Sequence, residues 1–281
     1  MIDAHQHIWQ IGRNGCSWPG PEDGLLYRDF ALDDVVPVAT GLGIAGTVLV
    51  QTQADDRDTD FLLQIAEQNE FVCAVIGWAD LAADGAVARI TQLARHQKLR
   101  GLRPMLQALA EDDWILQPQL TPAIQAMQDV GLCFDALIFP RHLQHIERFA
   151  QRWSGLPLII DHAAKPPIAQ EDKTAFASWR EGMTRLAELP WVYCKLSGLL
   201  SEATASQNAE KLRPYVEHVF HVFGAQRLIW GSDWPVLCAA PNPAYADYRT
   251  WFELAQQLIP DQRTLVINQI FNENARAFYR L

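Results

Sequence analysis

What this sequence lacks narrows it before any motif is read. No apolar run reaches the roughly 18 to 20 residues of a membrane helix, so no membrane partner is expected. Basic residues are in deficit, with 23 Lys plus Arg against 33 Asp plus Glu and a formal net charge of −10. Such a surface repels phosphate backbones and argues against a nucleic-acid partner. The five cysteines, Cys16, Cys73, Cys133, Cys194 and Cys238, are odd in number, far apart and without a Cys-x-x-Cys pair. That usage fits a reducing, cytoplasmic setting, and Cys73, Cys133 and Cys194, set in apolar runs, read as buried thiols. No basic region, apolar stretch and cleavage site stand in front of the opening Met1-Ile2-Asp3-Ala4-His5, so no secretory leader is expected. The chain also lacks internal repeats, low-complexity segments and any G-x-G-x-x-G after its first apolar run.

What is present is an alternation. Of 281 residues, 49 % are apolar and 20 % charged, a globular composition. Short β-rich runs cover Ile2 to His7, Gly46 to Gln53, Phe71 to Trp78, Leu99 to Met105, Leu132 to Ile138, Pro157 to His162, Trp191 to Ser197 and Arg227 to Asp233. Most are continuously apolar, the pattern of strands covered on both faces. A helical pattern follows each run, and a ninth, Gln262 to Tyr279, closes the chain. Asp58-Thr59 reads as the cap of the second helix. Eight β–α units without a composition break predict one domain over residues 1–281, a single (β/α)8 TIM barrel with a C-terminal extra helix. A doubly wound open sheet is second, weakened by the missing phosphate turn.

A barrel places chemistry at the C-terminal ends of its strands. The first run ends in His5-Gln6-His7, whose imidazoles share a face. The sixth ends in Asp161-His162 and the eighth in Gly231-Ser232-Asp233-Trp234-Pro235. His5, His7, His162 and Asp233 together suit one divalent metal ion, zinc first, with Asp233 as ligand or as the base that deprotonates water.

Asp3-Ala4-His5-Gln6-His7-Ile8-Trp9, the IDHAAKPP run at 160–167 and FGAQRLIWGSDWPV at 223–236 resemble the amidohydrolase superfamily, in particular its sugar-lactone hydrolases of the L-fuconolactonase and L-rhamnonolactonase type. The resemblance implies hydrolysis of a small-molecule sugar lactone, a six-carbon deoxy-aldonolactone first, with Asp233, His162 and Arg103 catalytic and no organic cofactor. Two-metal relatives carry a strand-four lysine and a strand-five histidine; here those strands offer Arg103 and Asp135. Arginine stays protonated and cannot be carbamylated, so at most one metal is implied, and metal-dependent and metal-independent hydrolysis both stay open. Arg103 reads either as a donor to the lactone or its product, or as a structural ion pair. Lys195 and Ser197 on strand seven read as substrate contacts, or Lys195 as a bridge to Asp233 or Asp135.

Gln51, Gln53 and Trp78 are candidate pocket walls. The loops Trp9 to Phe30 and Gln107 to Gln117 are candidate caps. Of ten tryptophans, Trp9, Trp78 and Trp234 fall at strand ends, and Trp18 and Trp114 in the caps. There aromatic planes would pack on sugar C–H faces. His142, His145, His218 and His221 on helices read as packing or surface residues. The competing reactions are a metal-dependent decarboxylase of an aromatic or unsaturated acid, also found in the superfamily, and a sugar-binding barrel without turnover. A homo-oligomer is compatible with each.

Overall fold

The computed structural model describes residues 1–281. All eight expected runs form strands: β1 Ile2–Gln6, β2 Gly46–Val50, β3 Val72–Gly77, β4 Leu99–Leu102, β5 Cys133–Ala136, β6 Leu158–Ile160, β7 Val192–Leu196 and β8 Leu228–Trp230. They lie in one sheet in chain order, every pairing parallel. The seam between the first and last strands is closed by a parallel bridge, Gln6 to Trp234, with Asp233 N–H donating to His5 C=O at 2.8 Å and His7 N–H to Trp234 C=O at 2.8 Å. A (β/α)8 barrel is therefore the observed fold. Gly231 is required at the seam: a Cβ there would lie 2.5 Å from His5 Cβ.

Every strand but β8 is followed directly by helical elements that lead to the next. The α-helices between strands are α1 Val36–Gly41, α2 Asp56–Gln68, α3 Ala86–Leu93, α4 Thr121–Asp129, α5 Leu143–Arg152, α6 Lys173–Ala187 and α7 Arg213–Phe223, with α8 Tyr248–Leu258 after β8. The cap of α2 is Asp55, whose carboxylate accepts from Arg57 N–H, rather than Asp58-Thr59. Asp58 is inside the helix and buried, and it accepts from Thr52 and Gln53 N–H at 2.8 and 3.1 Å. It thereby holds the turn that leaves β2. Cys133 and Cys194 are buried, but Cys73, the second residue of β3 near the lower rim, is only half-buried.

The core has two parts. A large shell lies between sheet and helices, and a smaller cluster fills the barrel, with Ile2, Ala4, Val48, Val50, Ala74, Ile76, Ile159 and Ile229. The closing segment completes that inner cluster. It forms α9 Thr264–Asn268, a π-helical turn Gln269–Glu273 and α10 Asn274–Tyr279. The extra residue in the π turn re-aims the last helix, and Ala275, Phe278 and Tyr279 join the barrel interior. Each buried aromatic contributes roughly 1.5–3 kcal/mol of hydrophobic stabilisation. No helix is long and apolar enough to cross a membrane.

Candidate active site

The polypeptide leaves the mouth-side strand ends in unusual conformations. After β6, His162, Ala163, Ala164 and Lys165 have φ of 53°, 49°, 60° and 50°. Left-handed backbone costs non-glycine residues about 1–2 kcal/mol each, so this turn persists only because its surroundings hold it. Lys165 N–H donates to His162 C=O at 2.8 Å, Trp179 Nε1–H donates to Ala163 C=O at 2.8 Å, and both alanines are buried. With about three residues per turn, the first and fourth side chains leave from the same side, and His162 and Lys165 both line one cleft. Gly198 (φ 65°) permits this, because a Cβ there would run into His162 Nδ1. Asp233 is also left-handed, at φ 59°.

That cleft, of about 320 Å³, opens at the C-terminal ends of the strands and has His7, His162, Arg103 and Asp233 among its lining residues. Asp233 Oδ1 lies 3.3 Å from His7 Nε2, 3.7 Å from His5 Nε2 and 3.9 Å from His162 Nε2. Burial would raise the Asp233 carboxyl, but His162, His7 and His5 hold it below the usual carboxylate range. Burial pushes His162 down to about 4 against the opposing pull of Asp233 and Asp161. Burial, with the Lys195 ammonium, keeps His5 well below an ordinary histidine.

The donor set fits a divalent ion. His7 Nδ1 lies 2.7 Å from Val50 C=O and must donate there, since a carbonyl only accepts. With that proton on Nδ1, His7 Nε2 either carries a second proton that bonds Asp233 Oδ1 at 3.3 Å or turns its lone pair to an ion. His5 has Lys195 Nζ 3.1 Å and Asp161 Oδ1 3.5 Å from its Nδ1. A proton on Nδ1 faces Asp161 Oδ1 at 3.5 Å, forgoes the bond from the Lys195 ammonium and leaves Nε2 bare for an ion. A proton on Nε2 instead meets His7 Nε2 at 3.2 Å. His5, His7 and Asp233 ligand atoms lie within 4.8 Å of one another, and donors bound at about 2.0–2.2 Å to tetrahedral zinc stand roughly 3.3 Å apart. These side chains therefore admit a metal, and a metal-free hydrogen-bonded arrangement as well.

Beneath the mouth lies a second polar layer. Lys195 is fully buried, with Nζ 2.5 Å from Asp135 Oδ2 and 2.9 Å from Asp161 Oδ1. Tyr279 OH donates to Asp135 Oδ2 at 2.9 Å. Burial would raise the Asp161 carboxyl, but Lys195, His5 and Arg103 hold it well below its usual range. Asp135, also pushed by burial, stays raised despite Lys195. Lys195 thus bridges Asp135 and Asp161 and does not line the cleft. Arg103 lines the cleft, yet its guanidinium bonds Gln51 C=O and, at 3.2 Å, Asp161 Oδ2, leaving Nε–H without a partner.

Other expected wall residues are also drawn inward. Gln51 is fully buried and donates to Arg103 C=O at 2.6 Å. Ser197, fully buried, lies 2.8 Å from His162 Nδ1 and orients that ring. Gln53 bonds Trp18 C=O at 2.6 Å and so anchors the first loop. Trp9 and Trp234 are core residues that pack edge-to-face against Phe30, because the loop from Trp9 to Phe30 folds over the strand ends and buries them. Trp78 and Trp114 are half-buried outside the cleft. Of the tryptophans, Trp18 alone lines it, and Gln107 is the second cap's contribution. Lys165 and Glu202, not singled out in the sequence, line it too. Lys165's only sequence signal was its place in the DHAAKPP run. Of the helix histidines, His142 and His218 are buried, His218 bonding Arg180 C=O at 3.0 Å, His145 is half-buried and His221 is on the surface.

Residues 2–281 match the amidohydrolase family model. Along its whole length the chain is 46 % identical to an L-fucono-1,5-lactonase of Burkholderia ambifaria and covers 95 % of it. It is 34 % identical to an L-fucono-1,5-lactonase of Burkholderia multivorans, over 86 % of this chain and 84 % of that one. A crystal structure of an amidohydrolase from Burkholderia multivorans with bound zinc superposes with a TM-score of 0.91 at 33 % identity, covering 100 % of this chain and 99 % of the other.

Proposed function

This chain belongs to the amidohydrolase family, and from that premise we propose that it hydrolyses the intramolecular ester of a sugar acid, a six-carbon deoxy-aldonolactone of the fuconolactone type. The observation that carries this reading is the 46 % identity along the full chain to an L-fucono-1,5-lactonase. The site supports it. Asp233, its carboxyl held below the usual carboxylate range, takes a proton from water as the water oxygen attacks the lactone carbonyl carbon. The carbonyl oxygen gains charge beside the fixed positive charge of Arg103. When the ring C–O bond breaks, the leaving alkoxide takes up the proton, and the product is an open-chain hydroxy acid.

His162 is neutral above a pH of about 4, and its ring, oriented by Ser197, can position the water. His5, His7 and Asp233, with His162 adjacent, would hold a divalent ion, zinc first. Such an ion supplies Lewis-acid charge that polarises the carbonyl and acidifies the attacking water. The decarboxylase alternative is not favoured, because the relatives matched at 46 % and 34 % identity are lactonases.

The test is acid release from a panel of aldonolactones, followed with a pH indicator on chelator-treated and zinc-reconstituted protein. Hydrolysis of at least one lactone, lost in Asp233→Asn, is expected. No rate above background on any lactone, with wild type equal to Asp233→Asn, overturns the proposal.

A further inference from the structure

Lys165 and Glu202 face each other at the edge of the cleft, with Nζ 3.7 Å from Oε1 and side chains 20 % and 22 % exposed. They are also shared with a neighbouring cleft of about 420 Å³ beside Phe139, so the pair forms the partition between the two. At 3.7 Å the contact is longer than a hydrogen bond, and neither charged group hydrogen-bonds to a third partner. An ammonium with three donors and a carboxylate with several lone pairs therefore stand side by side on the wall with most of their capacity unfilled. The position is also costly to keep. Lys165 is the last of four left-handed residues, and the turn that puts His162 in the site puts Lys165 over the same cleft.

We infer that Lys165 and Glu202 are specificity-determining residues that read the ring hydroxyls of the substrate. The inference rests on the lactonase reading above. With the lactone carbonyl at Asp233, the rest of the ring extends along the cleft wall. One hydroxyl accepts from the Lys165 ammonium and a neighbouring hydroxyl donates to the Glu202 carboxylate. The spacing of the two groups suits adjacent ring oxygens, which an ordinary surface salt bridge has no reason to present to a cleft. The substrate class is thus a lactone carrying a vicinal diol, in preference to an unsubstituted ring ester.

The experiment compares kcat/KM on a hydroxylated six-carbon aldonolactone with that on δ-valerolactone, which has the ring ester and no hydroxyls. Wild type, Lys165→Met, Glu202→Gln and the double variant are measured, each with its Tm. A polar site built around substrate hydroxyls discriminates strongly against analogues that lack them. The ratio of the two specificity constants should fall about ten-fold or more in each single variant, mostly through KM on the hydroxylated lactone. The double variant should lose less than the product of the single losses, because both residues grip one diol. Ratios within about two-fold of wild type, with or without a lower Tm, assign the pair a purely structural role and overturn the inference. Wild type that opens neither lactone overturns the lactonase reading itself, and the inference with it.

Discussion

The polar layer inside the barrel and the polar layer at its mouth are both buried and both delivered mainly by the strands, with Tyr279 of α10 the exception. Inside, Lys195 sits between Asp135 and Asp161, and Tyr279 closes the remaining position on Asp135. Cation meets anion and donor meets acceptor. At the mouth, Asp233 faces three imidazole nitrogens, and His7, whose Nδ1 already donates to Val50 C=O, meets the carboxylate only through a second proton or an ion. The chain does not complete this arrangement by itself; a proton, an ion or a reacting molecule must. Burial of charge therefore does not by itself set the two layers apart. The distinguishing feature is an unbalanced set of donors and acceptors that opens onto a cleft.

The largest test of that contrast is Asp233→Asn, which preserves shape and removes the proposed base. Loss of about 10³-fold or more in kcat/KM is expected, near 4 kcal/mol of transition-state stabilisation, with a Tm close to wild type. A large fall in Tm with activity retained would reverse the assignment. Next is Lys195→Met, which strands two buried carboxylates and should destabilise the fold by about 3–5 kcal/mol in urea unfolding. Replacing Lys195 and Asp135 together by Met and Leu should cost less than Lys195→Met alone, since the charge is removed with its partner. If both variants unfold like wild type, the inner layer is not structural.

The third test is acid. His162 is held at about 4 in the fold and titrates near 6.5 in the unfolded chain. The unfolded state therefore binds more protons in this window, and stability falls as pH drops from about 6.5 to 4, by roughly 3 kcal/mol for this residue. His5, lowered in the same direction, adds to that slope, and Asp233, held low, contributes only below its unfolded value near 4. Unfolding free energies of chelated protein at pH 7 and 5 should show the loss, and His162→Gln should reduce it. The smallest effect is expected from Tyr279→Phe, which removes one donor to an Asp135 that keeps Lys195. About 1 kcal/mol of stability should go, with kcat/KM unchanged; an altered rate would couple the barrel floor to the mouth.

Much of this architecture was legible from order and period. The continuous apolar runs predicted eight strands, and all eight formed. The predicted runs overshoot mainly at their C-terminal ends. Pro157 to His162 shortens to Leu158–Ile160, because Asp161 turns into its ion pairs and His162 starts the left-handed turn. His5, His7, His162 and Asp233 were visible as polar residues at strand ends, and the structure gathers them. Trp9 and Trp234 were equally visible at strand ends, yet the first loop covers them. Lys165 and Glu202 gave no joint signal, since 37 residues separate them (202 − 165) and only the left-handed turn aims one at the other.

The sequence by itself determined the alternation of buried strand and amphipathic helix, because hydrophobic period is a property of consecutive residues. It likewise determined which strand ends carry groups able to do chemistry. Tertiary structure decided which of those groups are neutralised and which are left poised. That choice depends on distances between side chains far apart in the chain, such as the 3.1 Å between Lys195 and His5, which lie 190 residues apart. Coulomb attraction and hydrogen bonding act through space at such separations, and no local pattern encodes them.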